Sequence, residues 1–486
     1  MAKNLMESYK NRIALAESVH QKNNNGARMS SQKKLMLATV LDNTAKFMNE
    51  AFDSSAATQR SALSDFKKFC LNISTVALPN LILPELMLTH PMTSITGYVT
   101  YLQYTAGVDK GGVTKDTMFN SVFRHGEMTP ERVDYTSDRV VESVAATGKF
   151  TPAWTPVLVD AFTDANGTKH ALKVMTTTTS TGATVETFAD VTVAEDGTVT
   201  YPTITVAEGT TVKVAYVYNN IVIPQTSTPN SLVTLKAELK GISLFAKARR
   251  IAIYYSQIAA FQAKTDYGYD LAEQIAAQAQ GELAYEIDTE GVMMLANAAQ
   301  KEIEFDSYDK AVATNANGTY ISRSQYYEGF SERVIANAKK IIYTRTQKFA
   351  PNYMVCGANI VTILPYLKGW TSANTNSVNG PYYAGSVDGI KVFVSPSMKE
   401  NEFFFGVNGS DLQTSAAVYA PYMAVVPTQL LGFADGGMSQ GFSTMYDMKL
   451  LSTYNLATDG KTKVDAEDGK YSWLLVGGEL LVPAQA

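Results

Sequence analysis

Cysteine is almost absent from this 486-residue chain: Cys70 and Cys356 are the only two. Two such distant thiols build no disulfide framework and fit a reducing compartment, and their apolar surroundings mark both as small buried side chains. Histidine is nearly as scarce. His20, His90, His125 and His170 lie in separate segments, which offers no zinc site and no catalytic triad. No GxGxxG, GxxxxGK[ST], GxSxG or HExxH pattern occurs, so the familiar phosphate-loop, nucleophile and metal motifs are excluded. There is no run of roughly eighteen apolar residues to span a membrane. The opening MAKNLMESYKNRIALAES has no apolar core, so no secretory signal is expected. Charge is thin as well: 18% of residues are charged and the net charge is −5. That disfavours a dedicated nucleic-acid binder, which needs clustered Lys and Arg. A surface poor in charge suits extensive contact with other protein.

What is present is apolar enough, at 45% hydrophobic residues, for a globular chain of two or three domains. Residues 1–75 read as a polar, helix-prone arm. Met6, Ile13 and Leu15 recur loosely, Asn23–Gly26 breaks the pattern, and Ser30-Ser31 is placed to cap a second helix bearing Leu35, Leu37, Val40, Leu41 and Phe47. An amphipathic arm behind a Ser/Ala-rich linker is expected to lie on a partner. Pro79, Pro84 and Pro91 keep the stretch from Val76 to Thr105 out of a long helix, and a strand is expected from Gly97 to Tyr104. Residues 150–225 turn rich in Thr and Val. Their alternating runs are separated by Asn166-Gly167, Asp196-Gly197 and Glu208-Gly209, which predicts an inserted antiparallel β-domain.

The block from Ala246 to Ala298 runs from a β-prone stretch into a long alanine-rich helix starting near Tyr267 or Tyr269. Leu271, Ile275, Ala279, Leu283 and Ile287 recur at steps of four and mark its buried face. Gly281 interrupts it, and a close approach by another element would explain it. A second helix is predicted over Ser324–Lys340, with Tyr327, Phe330, Val334, Ala338 and Ile341 on one face and Ser322 or Ser324 as its N-cap. Strands dominate beyond Pro351, one of them introduced by an Asp388-Gly389 turn. Phe403, Phe404, Phe405, Tyr382 and Tyr383 are assigned to packing, not to a carbohydrate groove. Asp266, Asp270 and Glu273 read as an acidic first helical turn, and Glu302 and Glu304 as the solvent face of a strand. The Asn-x-Ser/Thr triplets at Asn72, Asn166, Asn317 and Asn408 are mostly turn signals. Lys247, Arg249 and Arg250 form the one tight basic cluster of note. Two readings stand level for it: a contact to another subunit or to DNA, and solvated strand charges.

Several blocks resemble the major capsid proteins of tailed bacteriophages of the T-even type. They are VALPNLILPELMLTHPMTSITGYVTYLQYT, the strand-to-helix block from Ala246, VYAPYMAVVPTQ and GFSTMYDMKL, in that order. The resemblance implies an α+β chain with the Hong Kong 97-type capsid fold: a long spine helix, an E-loop carrying an inserted β-domain, and a helical N-terminal arm. It divides the chain into an arm (1–75), the start of the core with the first half of the E-loop (76–149), the inserted β-rich domain (150–225), the E-loop return and peripheral domain with the spine helix (226–349), an axial domain (350–440) and strands returning to the peripheral domain (441–486).

The implied function is self-assembly into hexamers and pentamers that close an icosahedral head shell around phage DNA. No catalytic, cofactor or metal site is implied. The implied partners are further copies of itself, portal, scaffold, vertex or decoration proteins, and packaged double-stranded DNA touched non-specifically, with no membrane. The implied location is the virion capsid, after assembly in the host bacterial cytoplasm. Within that frame Lys247, Arg249, Arg250, Trp154 and Tyr201 are the candidate inter-subunit residues, and Leu15-Ala16-Glu17 resembles a maturation cleavage site ending at Glu17. Three alternatives remain: a vertex protein of the same fold, a bacterial encapsulin-like nanocompartment shell, and, remotely, a glycan-binding or hydrolytic β-rich protein.

Overall fold

The structure is a computed structural model. It describes residues 2–23, 28–53, 75, 81–107, 139–144, 147–152, 154, 162–178, 183–195, 199–205, 210–218, 234–266, 268, 271–314, 322–346, 348–373, 380–428, 431–433, 436–456, 458, 463–465 and 469–483. The chain forms two compact units, Met1–Tyr101 with Gly241–Ala486, and Leu102–Lys240. It leaves and re-enters the larger unit along two long strands, Thr96–Ala106 and Leu235–Phe245, which pair as a ribbon.

The larger unit contains two main sheets. The first runs Leu88–Thr89, Ala417–Pro427, Gly437–Leu450, Lys247–Ser256, with Leu431–Gly432 also paired to Gly437–Leu450. A spine helix, Leu271–Ala298, buries Ala279 and Leu283 against Val425 and Phe442, with Ile251 and Ile253 alongside. Ile287 is buried too, so the stripe of step four is the packed face, with Ile275 half-buried at its start. The helix begins at Leu271, slightly later than its sequence suggests, and a separate helix, Gln257–Asp266, precedes it. Gly268, at φ +71°, lies between the two.

The arm does not await a partner. Its helix Ser31–Asp53, capped by the Ser30 hydroxyl accepting from the Lys33 N–H at 3.2 Å, lies on its own chain. Met36, Leu37, Val40, Leu41 and Met48 are buried, and Met48 packs on Met423 and Val426. Val425 joins the spine-helix cluster and its neighbour Val426 the arm cluster, as successive strand residues must. Strand Ala417–Pro427 carries Pro421 and two breaks of register, between Pro421 and Met423 and between Met423 and Val426. Such bulges withdraw ladder partners from buried amides. The arm supplies one of them: Thr44 Oγ1 accepts the Ala424 N–H at 3.3 Å. Asn43 Nδ2 donates to the carbonyls of Met92 and Tyr422 at 2.7 and 2.9 Å.

The second sheet runs Lys301–Asp306, Leu475–Leu481, Glu402–Gly406, Tyr353–Cys356, Ile390–Val394, Tyr382–Val387, Thr371–Ser372. Ala417–Pro427, from the 350–440 segment, therefore belongs to the first sheet. Leu475–Leu481, from 441–486, and Lys301–Asp306, from 226–349, belong to the second. Linear segment boundaries cut across both sheets because their strands come from distant parts of the chain. Phe403, Phe404 and Phe405 are all buried in this sheet, and Phe403 meets Phe330 at 5.8 Å between ring centroids. Asp388 (φ +50°) and Gly389 (φ +79°) make the tight turn of the hairpin Tyr382–Val394, as their sequence predicts. The helical layer against this sheet starts at Ser322, whose side chain and that of Gln325 form a reciprocal capping box. One wide turn, Ser331–Ala336, interrupts it before Asn337–Thr346. Tyr327, Phe330, Val334 and Ala338 are buried as expected, but Ile342 takes the place predicted for Ile341. Cys356 is fully enclosed, and burial pushes its thiol up to about 12. Cys70 lies outside the described residues.

The smaller unit is built on an antiparallel sheet, Arg139–Val144, Thr210–Val217, Leu172–Thr178, Thr184–Ala189. Its first strand lies ahead of residue 150, so the β-unit is larger than the shift in composition marks.

The glycine expected to mark a close approach is the wrong one. A Cβ on Gly281 would meet nothing within 4 Å, whereas on Gly291 it would fall 2.3 Å from Leu83 Cδ2, a side chain that is itself fully buried. Gly281→Ala should therefore stabilise the subunit by up to about 1 kcal/mol through helix propensity. Gly291→Ala should destabilise it by about 1–3 kcal/mol through overpacking. Denaturant unfolding of dissociated subunits measures both, and equal effects of the two changes would refute the assignment.

Candidate assembly surface

Lys247–Ser256 is an edge strand. It pairs in unbroken register with the strand Gly437–Leu450, from Lys247↔Tyr446 to Ser256↔Gly437, and among the described residues no strand of the sheet lies on its other side. It has no proline and no bulge to blunt that edge. Ile251 and Ile253 turn to the spine helix, while Arg250, Ala252 and Tyr254 are exposed. The strand passes directly into helix Gln257–Asp266, where the Ser256 hydroxyl accepts the Ile258 N–H at 3.3 Å. Tyr254, Ile258 and Phe261 are each about 70% exposed, and Leu431 and Phe433 are more than half exposed. The Tyr254 and Phe433 rings lie 6.2 Å apart. Ser256 followed by an Ala-rich run was the available sequence signal for this helix, hidden by the continuous apolar pattern on either side.

The basic cluster divides. Arg249 pairs with Glu290 of the spine helix at 2.6 Å, and the Tyr446 hydroxyl donates to the same carboxylate oxygen at 2.6 Å. Tyr446 and Glu290 together hold the guanidinium above its ordinary value. Arg249 thus clasps its own strand to its own helix, and its charge is spent within the chain. Lys247 and Arg250 are exposed and form no ion pair among the described residues. The proposed aromatic anchors are also inward. Trp154 is 5% exposed, its ring 5.0 Å from that of Tyr218, and its backbone N–H donates to the Tyr216 hydroxyl at 3.1 Å. Tyr201 packs edge-on against Phe150 at 6.1 Å. Both belong to the core of the smaller unit, where large aromatic rings fill the space over its four-stranded sheet. Glu17 lies in helix Lys10–Asn23, paired with Lys34 at 2.8 Å, and Ala16 beside it is fully buried. A protease would have to unwind that helix to reach the bond after Glu17.

Other charged residues fall differently from their sequence reading. Glu304 is exposed, but Glu302 pairs with the buried Arg345, which also donates to the Leu475 carbonyl at 3.2 Å. Asp266 is exposed at the end of its own helix, and Asp270 lies outside the described residues. Among the described residues no His, Cys, Asp and Glu side chains gather as a metal site. His170 is instead held by Asp190 at 3.0 Å and Asp164 at 3.5 Å, which raise its basicity.

Sequence reading missed one charged junction altogether, around the short helix Leu83–Leu86. Asp288, buried on the spine helix, accepts the N–H groups of Ile82 and Leu83 at 3.2 and 3.3 Å. Glu85 takes Lys33 of the arm on one oxygen at 2.9 Å and Lys391 of the second sheet on the other at 2.8 Å. Asn408, one of the Asn-x-Ser/Thr triplets, donates to the carbonyls of Glu85 and Met87 at 3.0 and 3.2 Å. Burial alone would raise the Glu85 carboxyl, but the two ammonium groups reverse that and hold it down to about 2. For Asp288 burial wins over its two amides and the more distant Lys33, raising it to about 7.

The sign follows. Well below 3.8, its ordinary value, Asp288 is protonated in folded and unfolded chains alike. As pH climbs to about 7 the unfolded chain ionises freely and the folded one resists, so stability falls, by roughly 4 kcal/mol in all. Glu85 contributes the opposite slope, but only below its unfolded value of 4.5. Asp288→Asn should therefore flatten the stability of dissociated subunits between about pH 4 and 7, read from denaturant midpoints. An unchanged slope would mean another group titrates there.

The sequence profile of the family described as major capsid protein Gp23 matches residues 63–474. No curated protein matches the chain. Among solved structures, one from Mycobacterium phage Cain is similar at 11% identity and a TM-score of 0.31, over 55% of this chain and 82% of that one. The capsid of Myoviridae Phage XM1 is similar at 9% and 0.32, over 53% and 81%. A virus-like particle from Pyrococcus furiosus is similar at 12% and 0.29, over 50% and 79%. The family match spans most of the chain and decides the assignment. A spine helix packed on a mixed sheet, a paired ribbon leading out to an inserted β-unit and a helical arm are thus the α+β, Hong Kong 97-type architecture of a shell subunit, and the chain belongs to the major capsid protein Gp23 family, structural, non-enzymatic proteins that form the phage head shell.

Proposed function

We propose that the chain closes its shell through hexamers and pentamers, and that the corner formed by Tyr254, Ile258, Phe261, Leu431 and Phe433 is one of the surfaces on which a neighbouring copy sits. The observation that carries this is the exposure of those five apolar side chains around the end of a strand whose outer edge is unpaired among the described residues. On a solitary protein such a corner is an aggregation hazard. On a subunit with many neighbours it is the apolar centre of a contact, and the exposed Lys247 and Arg250 are suited to its charged rim. Heterologous contacts of this sort close into rings of five or six and repeat over a shell, so weak single contacts add up.

The smaller unit, carried on its paired ribbon, acts in this reading as a clamp between subunits. Its contacts come from surface residues, since Trp154 and Tyr201 are committed to its core. Portal, scaffold and vertex or decoration proteins are the further partners of such a shell, assembled in the host cytoplasm. Packaged double-stranded DNA is touched only casually and non-specifically, in keeping with a net charge of −5.

The test is the double variant Tyr254→Asp, Phe261→Asp. Both side chains are exposed, so the subunit should melt as wild type while its yield of closed shells falls at least tenfold, read by sedimentation and negative-stain microscopy. Wild-type shell yield from the double variant would remove this corner from the assembly surface.

A further inference from the structure

The junction at Leu83–Leu86 draws one charged side chain from each of three elements. Lys33 comes from the arm helix, Asp288 from the spine helix and Lys391 from strand Ile390–Val394 of the second sheet, with Glu85 among them. Two ammonium groups face two carboxyl groups. They are not equally placed. Lys391 is half exposed, whereas the Lys33 side chain is 4% exposed. Among the described residues no cation pairs directly with Asp288, and Lys33 is the one whose charge reaches it. Tyr419, fully buried, is the other titratable group that feels Asp288.

Removing Lys33 would leave Glu85 with Lys391 as its partner and Asp288 with no cation whose charge reaches it. A buried carboxylate stripped of its compensating cation is costly. It relaxes by taking up a proton or by letting its neighbours move, and either weakens its hold on the N–H groups of Ile82 and Leu83, since a neutral carboxyl is the poorer acceptor. The same peptide is tied to the arm a second time, through Asn43 and the Met92 carbonyl. Met92 stands just ahead of the strand Thr96–Ala106, by which the chain leaves the larger unit.

We propose that docking of the arm helix and seating of residues 81–88 on the spine helix form one coupled switch, with Lys33 as its bolt: when the arm lifts away, Ile82 and Leu83 loosen on Asp288 and the root of the outgoing strand is released. The arm is then more than a cover for the sheet. Its position is communicated to the peptide from which the ribbon springs.

Hydrogen exchange of the full-length subunit, followed by mass spectrometry, tests the coupling. Lys33→Met should speed exchange at least tenfold both in 31–53 and in 81–88. Lys391→Met, which spares Lys33, should leave 31–53 within twofold of wild type. In an Asp288→Asn background the link is cut, so Lys33→Met should still loosen 31–53 but add less than twofold to 81–88. If Lys33→Met proves too unstable to purify, Lys33→Arg keeps the charge in the wrong geometry and should speed both segments together, to a smaller extent. Loosening of 31–53 with 81–88 unchanged, or the same rise in 81–88 with and without Asp288, would overturn the proposal.

Discussion

The helix Leu83–Leu86 is a single turn, too short to repay its own nucleation, so its polar groups are satisfied from outside. Asp288 takes the amides at its start, Asn408 takes two carbonyls at its end, and Glu85 is gripped from both sides by Lys33 and Lys391. Leu83 fills the space left by Gly291 on the spine helix, and Leu88 starts a parallel pairing with Val418. Arm, spine helix and both sheets are thereby fixed to one short peptide. Each element has its own apolar contacts, but their mutual placement passes through this point, where the interactions are directional and buried.

A second dependence runs through the strand Ala417–Pro427. A proline and two register breaks in a strand paired on both sides would ordinarily be a weakness. Here the arm helix repairs it, with Thr44 on the freed Ala424 amide and Asn43 on the Tyr422 carbonyl. The bulges also let Val425 and Met423 serve different layers, so one strand feeds the spine-helix cluster and the arm cluster at once. The arm is part of the subunit's own architecture, whatever else it does in a shell.

Much of this was legible in the sequence where a local rule governs. The stripe Ala279, Leu283, Ile287, the cap at Ser322 and the turn at Asp388-Gly389 follow from spacing and backbone geometry alone. The rest was decided by elements far away in the chain. An amphipathic arm shows that its stripe will be covered, not by what, and the cover proved to be its own sheet. Arg249, Arg250 and Lys247 look alike in sequence, yet only Arg249 has Glu290 within reach. Trp154 has the composition of an interface anchor and the position of a core residue. Asp288 sits next to Ile287, one residue off the apolar stripe, and nothing local shows that residues 82 and 83 will enclose it. The candidate assembly surface was the least legible, because an apolar side chain reads the same whether it is buried or left outside.

The first sheet has a consequence in time. Its strands come from residues 88–89, 247–256, 417–427, 431–432 and 437–450, so the edge strand is synthesised long before the strand that pairs with it. At about 5–20 residues per second of translation, roughly ten seconds or more separate them. Throughout that interval KARRIAIYYS has two open edges instead of one. The smaller unit, whose four main strands lie between residues 139 and 217, can close as it emerges. The larger one must wait for its last third, and on a polysome making many identical chains side by side, the nearest complement to an unpaired strand belongs to the wrong molecule.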